Sequence, residues 1–199
     1  MSPTVVLASR NAHKIEELQR IAPQIRWLGL PDVLGDPPET GVTFEANALQ
    51  KARFGAAYAA SLDALCLSDD SGIEVDALGG RPGVWSKRYS VEGTDAANRE
   101  RLLTELAGLP AALRTARFRC VLAVVDGRPG AKTPERTFDG RCEGAVAEAA
   151  RGDGGFGYDP IFLPDATPGR TMAELAAAEK DAISHRGHAL RALFSVLTS

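Results

Sequence analysis

The sequence predicts an α/β fold: a mixed β-sheet flanked by helices, with a lobe on either side of a cleft. Three observations lead there. Early in the chain, short apolar runs alternate with amphipathic helical patterns. The middle carries two long strand patterns in succession, as antiparallel pairing requires. No internal repeat, low-complexity tail or long linker divides the chain, so residues 1–199 read as one domain.

Residues 4–8 (TVVLA) form a wholly apolar, β-branched run, the pattern of a central strand covered on both faces. The next residues open a helix with Ile15, Leu18 and Ile21 on one face and Glu16 and Glu17 on the other. Pro23 ends it, and residues 25–28 make a second strand. Pro31, Gly35, Pro37, Pro38 and Gly41 mark 31–42 as a loop. Thr43 is an N-cap for an alanine-rich helix over 44–60. The run Ala64-Leu65-Cys66-Leu67 is a buried strand that ends at an acidic turn, Ser68-Asp69-Asp70-Ser71-Gly72. Gly79, Gly80, Pro82 and Gly83 then crowd together before Trp85, more backbone freedom than a surface loop needs unless a ligand approaches the main chain. Thr94 and Asp95 begin a helix through Leu102, Leu103 and Leu106. Strands over 116–126 and 137–148 flank a loop at 127–134, and a second glycine-rich loop covers 151–160. A short strand at 161–163 precedes a mainly helical stretch over 171–197, interrupted around 184–187.

The formal charge of −3 excludes a non-specific nucleic-acid binder, which would carry a basic excess. Three cysteines without a C-x-x-C spacing make neither a disulfide framework nor a zinc site, and Cys66 and Cys120 read as small buried hydrophobes. No segment approaches 18 uninterrupted apolar residues, and no charged region followed by a long apolar stretch opens the chain. A soluble, cytoplasmic protein without membrane contact is the expectation.

Five places carry candidate chemistry. Ser9, Arg10, Asn11, Ala12, His13 and Lys14 lie where a strand meets a helix, so they form either a plain N-cap or an anion site built from helix N–H groups and Lys14. Asp69 and Asp70 are either a solvated turn, with Gly72 supplying a positive φ, or adjacent carboxylates whose repulsion is offset by a hard cation, Mg²⁺. Glu39 and the polar residues of the following helix start, Glu45, Asn47 and Lys51, either face solvent or the same site. Gly154 to Pro160 (GGFGYDP) is either a turn with packed rings or an aromatic platform on which a base stacks while Asp159 or the backbone reads its edge. Lys180, His185 and Arg186 precede Gly187 and present either dipole-stabilised helix-end charges or a cationic edge for an anion or a purine carbonyl.

Taken together, the blocks SRNAHK (9–14), TFEANALQKA (43–52), SDDSG (68–72), LGGRPGVWSKRYS (78–90), GGFGYDPIF (154–162) and AISHRG (182–187) resemble the nonstandard-purine nucleoside triphosphate pyrophosphatases, the inosine/xanthosine triphosphate pyrophosphatases. The resemblance runs from Val5 to about Leu193. It implies a central nucleotide-binding cleft between two lobes, a homodimer, and Mg²⁺-dependent cleavage of ITP, dITP or XTP to the monophosphate and pyrophosphate. It further implies that Ser9, Arg10, Asn11, Ala12, His13, Lys14 and Lys51 bind phosphates, and that Asp70 is the general base and a metal ligand assisted by Asp69 and Glu39. Ser71 would touch the substrate, while Phe156, Gly157, Tyr158, Asp159, Lys180, His185 and Arg186 would hold the base. Two positions depart from the family pattern: Arg10 stands where glycine is common, and Ala46 where glutamate precedes the asparagine. They motivate the alternative, a nucleotide-binding regulatory protein on the same fold without turnover.

Overall fold

The structure is a computed structural model that describes residues 3–131 and 135–197, so part of the expected loop at 127–134 lies outside the described residues. The described strands are β1 (Thr4–Leu7), β2 (Arg26–Gly29), β3 (Leu65–Val75), β4 (Thr115–Val125), β5 (Glu135–Val146) and β6 (Phe162–Pro164). They form one sheet in the order β2-β1-β3-β4-β5-β6. β1 is parallel to β2 and β3, whereas β5 and β6 are antiparallel, so the sheet is mixed as expected. The α-helices are α1 (Ala12–Ile21), α2 (Phe44–Ser61), α3 (Asp95–Glu105), α4 (Ala177–Ile183) and α5 (His185–Leu197). Among the described residues no helix is long and apolar enough to cross a membrane.

The chain divides into two compact units. The first holds Met1–Asp70, Cys120–Asp139 and Ala189–Ser199. Its core follows from strand alternation, which sends successive side chains to opposite faces. Val5, Leu7 and Leu67 pack with Leu18 of α1 and with Leu190 and Leu193 of α5. Val6, Ala8 and Cys66 turn the other way and pack with Ala59 of α2. Gly55 lets α2 approach β3 closely, since a Cβ there would lie 2.7 Å from Cys66 Sγ. Asn11 and Thr43 cap α1 and α2, each side-chain oxygen accepting from the backbone N–H three residues on. One expectation is corrected: Glu17, assigned to the polar face of α1, is 4 % exposed. The buried stripe of that helix is wider than its apolar residues mark out.

The second unit, Ser71–Arg119 and Gly140–His188, is built on Ile73, Val75, Leu102, Leu106, Phe118, Ile161, Phe162 and Met172. Buried Arg114 donates to the carbonyls of Leu106, Val146 and Ala147 at 2.8, 2.8 and 2.7 Å, and so ties the end of α3 to the end of β5. The expected helix break is real. Ser184 ends α4 with ψ 150, and its Oγ accepts from Gly187 N at 3.0 Å, which caps the start of α5.

The acidic turn expected at residues 68–72 does not exist. β3 continues through both aspartates to Val75, and the glycines with positive φ, Gly79, Gly80 and Gly83 among them, do not include Gly72. Gly72 is needed for space. A Cβ at this position would lie 2.5 Å from Gly83 O and also against Ser86 Oγ. The Gly72→Ala variant is therefore expected to lose about 1–3 kcal/mol of stability through overpacking against a backbone carbonyl that cannot be trimmed. Urea unfolding at neutral pH measures this; an unchanged midpoint would refute it.

Candidate active site

β3 carries Ser68, Asp69 and Asp70 in extended backbone, so the two carboxylates leave the strand on opposite faces. Asp69 shares the face of Leu67 and meets Lys14 of α1, whose Nζ lies 2.5 Å from its Oδ1. The Cys120 thiol of β4 donates to the other oxygen, Oδ2, at 3.1 Å. Asp70 shares the face of Ser68, whose Oγ donates to Ala48 O in α2 at 2.5 Å. Its Oδ1 accepts from Lys51 Nζ at 2.8 Å and its Oδ2 from Asn47 Nδ2 at 3.2 Å. Lys51 Nζ also donates to Glu39 Oε1 at 2.7 Å and to the Asp69 carbonyl at 2.8 Å. Three acceptors match the three protons of an ammonium. Asp69, Asp70, Asn47 and Lys51 are all buried.

Burial raises the Asp70 pKa above the ordinary carboxylate value of 3.8; Lys51 and Lys14 oppose the shift and Glu39 adds to it. Burial works against the Lys51 ammonium, but Asp70 and Glu39 together outweigh it and push its pKa up. Lys51 therefore stays charged at neutral pH.

The structure revises several sequence readings here. Lys51 was expected to contact phosphate, yet its protons all go to protein acceptors, which makes it the group that holds Asp70 and Glu39. Asp69 was expected to join Asp70 and Glu39 at one ion. Strand alternation turns it away, and among the described residues no three His, Cys, Asp or Glu side chains gather to hold a metal. Glu39 and Asp70, which converge on Lys51 Nζ, remain a pair of hard oxygen donors of the kind Mg²⁺ prefers. Cys120 is buried as expected, but it serves as a hydrogen-bond donor to a carboxylate and not as an apolar filler. Cys66 is a small buried hydrophobe as expected, its thiol pushed up to about 12 by burial.

In the loop before α1, Asn11 N donates to Ser9 Oγ at 3.3 Å and Asn11 caps the helix. Ala12 is its first residue, and His13 is exposed beside Glu16. Arg10 does not adopt a positive φ, so a side chain in place of glycine leaves the backbone unstrained. Its guanidinium turns to Asp32, Gly35 O and Asp36. Ala46 is exposed.

The second unit carries the remaining candidates. Asp159, 3 % exposed, was expected to read a base edge. Instead its Oδ2 accepts from Phe156 N at 2.8 Å and pairs with Lys180 Nζ at 2.5 Å, which fixes the loop. Gly155, at φ +70, has no room for a side chain beside that carboxylate. The Tyr158 hydroxyl donates to Ser86 O at 2.8 Å, and burial pushes its pKa up, so it serves the loop's anchorage. Gly157 donates from N to Asp95 Oδ2 and accepts at O from Arg99, both at 2.7 Å. Phe156 is half-buried under two cations: Lys180 Nζ lies 4.9 Å and Arg186 Cζ 5.9 Å from its ring centroid. Arg186, 1 % exposed, donates to Ser71 Oγ at 3.1 Å. His185 stacks on Phe118 with centroids 4.9 Å apart. Phe156, Lys180, Arg186 and Ser71 are thus gathered in the second unit.

Sequence reasoning placed Asn47 among the candidate polar groups without giving it a partner, and it did not single out Cys120, Asp95 or Arg99 as hydrogen-bonding groups. Asn47 had a signal, since it stands one turn before Lys51 on the same face of α2. Cys120 had none, because its partner is 51 positions away.

The model of the Ham1 family matches residues 5–196 of this chain. A protein named dITP/XTP pyrophosphatase from Geobacillus kaustophilus is 48% identical over 95% of this chain and 91% of its own. One of the same name from Bacillus subtilis is 44% identical over 96% of each. Among solved structures, the Ham1 protein of Staphylococcus aureus is similar with a TM-score of 0.81 at 37% identity, covering 98% of both chains.

The geometry of the first unit makes a stability prediction. Lys51→Met leaves a buried carboxylate without its cation, and the expected cost is about 3–5 kcal/mol. Adding Asp70→Asn removes the stranded charge and should recover part of that loss. Denaturant melts of the single and double variants decide; a double variant no more stable than Lys51→Met alone would contradict the pairing.

Proposed function

The chain belongs to the Ham1 family, and from that premise we propose that it hydrolyses noncanonical purine nucleoside triphosphates, ITP, dITP and XTP, to the monophosphate and pyrophosphate. The observation that carries the reading is Asp70. It is a buried carboxylate with a raised pKa, fixed at one oxygen by Lys51 and at the other by Asn47. A group so held is suited to general base catalysis, which needs a positioned acceptor whose pKa approaches the working pH. In the proposed step a water oxygen bonds to the α-phosphorus while the bond from that phosphorus to the α–β bridging oxygen breaks. The water proton passes to Asp70 and the electron pair leaves with pyrophosphate.

Lys14 and the N–H groups at the start of α1 supply positive potential for the phosphate oxygens. Glu39 and Asp70 would hold Mg²⁺, which when bound draws charge from the phosphate oxygens. In the second unit, the Phe156 face offers stacking, and Arg186 and His185 offer donors to a 6-oxopurine. Adenine carries an amine at that position. Buried donors would then be left unpaired, the situation that yields large discrimination. The reading without turnover loses its motive at Arg10, whose backbone is unstrained.

Pyrophosphate release with Mg²⁺ present, comparing ITP, dITP and XTP against ATP, tests the proposal. Release from the first three well above ATP is expected, and no release from any would overturn it. Asp70→Asn should cost on the order of 10²-fold or more in rate. The rate should rise with pH as Asp70 ionises, because only the charged form accepts a proton. That acidic limb should vanish from the residual activity of Asp70→Asn.

A further inference from the structure

Residues 31–43 connect β2 to α2 and carry Glu39, and they have little apolar anchorage. Leu30 and Phe44 are buried at 8% and 3%, but between them Val33 and Val42 are 90% and 84% exposed. Polar contacts hold this strap at two places. On its α2 side, Thr40 N donates to Gln50 Oε1 at 3.0 Å, Gly41 N to Asn47 Oδ1 at 2.7 Å, and Lys51 reaches Glu39. On its β2 side the contacts come from Arg10. Arg10 donates from Nη1 to Asp32 Oδ1 at 2.7 Å and from Nη2 to Gly35 O at 2.9 Å, and its Nε lies 2.8 Å from Asp36 Oδ1.

Pro37 and Pro38 are all that separates the clamped Asp36 from Glu39. Two consecutive prolines have φ fixed near about −65° and act as a semi-rigid spacer, so the placement of Asp36 is passed on to Glu39. Arg10 is needed for none of its backbone properties, since its φ is one any residue adopts. Its contribution lies in the side chain, and that side chain is spent on protein acceptors.

We propose that Arg10 is a positioning residue: it clamps the strap at residues 32–36 and, through Pro37 and Pro38, sets where Glu39 meets Lys51 and so how Lys51 holds Asp70. The inference rests on the reading of Asp70 as the general base. It differs from a phosphate-binding role for Arg10, in which the guanidinium would act on the substrate directly.

The test compares wild type, Arg10→Ala, Arg10→Lys and Glu39→Gln, with and without Arg10→Ala. Because the clamp's ion pairs are exposed, Arg10→Ala should lower kcat for pyrophosphate release by about 3- to 10-fold, with KM changed less than about twofold. Arg10→Lys, with one ammonium for three acceptors, should fall between. In the Glu39→Gln background the Arg10→Ala loss should largely disappear, as coupled residues require. Raised salt should bring wild type towards Arg10→Ala and leave the variant nearly unchanged. Amide hydrogen exchange adds a readout that does not depend on turnover. Peptides covering Thr40 and Gly41 should exchange faster in Arg10→Ala. Unchanged exchange, a raised KM with kcat kept, or an equal loss in the Glu39→Gln background would each overturn the proposal. If wild type cleaves no triphosphate, the functional reading fails, and the exchange data still decide whether Arg10 clamps the strap.

Discussion

The Lys51 ammonium is the constraint on which the first unit's site depends. A cation this deeply buried is costly unless each proton finds an acceptor, and here the acceptors come from three sources. One is Glu39, on the strap before α2; another is the Asp69 carbonyl, part of the β3 backbone; the third is the Asp70 side chain. A helix, a strand and a loop are thereby joined at one nitrogen. Asn47, one turn earlier on α2, completes the arrangement by binding Asp70 with its amide and the strap's Gly41 with its carbonyl oxygen. The carboxylate is left with little freedom to turn, which is what proton abstraction from a placed water demands.

The pleat of β3 separates the two aspartates that neighbour each other in sequence. Asp69 takes Lys14 and Cys120 on the face of α1, whereas Asp70 takes Lys51 and Asn47 on the face of α2. Each carboxylate has its own ammonium, so mutual repulsion is small and no shared ion is needed to relieve it. Similar economy governs the loop that ends at Asp159 in the second unit. There Lys180 neutralises a buried carboxylate that also accepts from the Phe156 amide, and the same lysine lies over the Phe156 ring. In each unit, then, a buried lysine–aspartate pair sets the position of a neighbouring group.

Much of the fold was legible in the sequence because the relevant signals are local. The β-branched run of β1, the caps Asn11 and Thr43, the prolines of the strap and the break at Ser184 each act within a few residues. The candidate groups Asp70, Lys14, Lys51, Phe156, Lys180 and Arg186 were picked out by residue type and spacing, and in the fold each contacts another side chain. What failed was the local context of the aspartates. Ser-Asp-Asp-Ser-Gly has the composition of a turn, but pairing with neighbouring strands keeps it extended, and tertiary context outweighs weak β-propensity.

The sequence by itself determined the kinds of element, their order, and which residues carry charge or an aromatic face. Tertiary structure decided their assignments: that Asp69 and Asp70 face apart, that Cys120 serves a carboxylate 51 residues away, that Lys51 faces protein acceptors, and that Arg10 serves the strap. The physical reason is one of range. Caps, periodicity and proline geometry are set by neighbours along the chain, whereas the partner of a buried charge is set by whichever strand or loop the packed fold brings within hydrogen-bond reach.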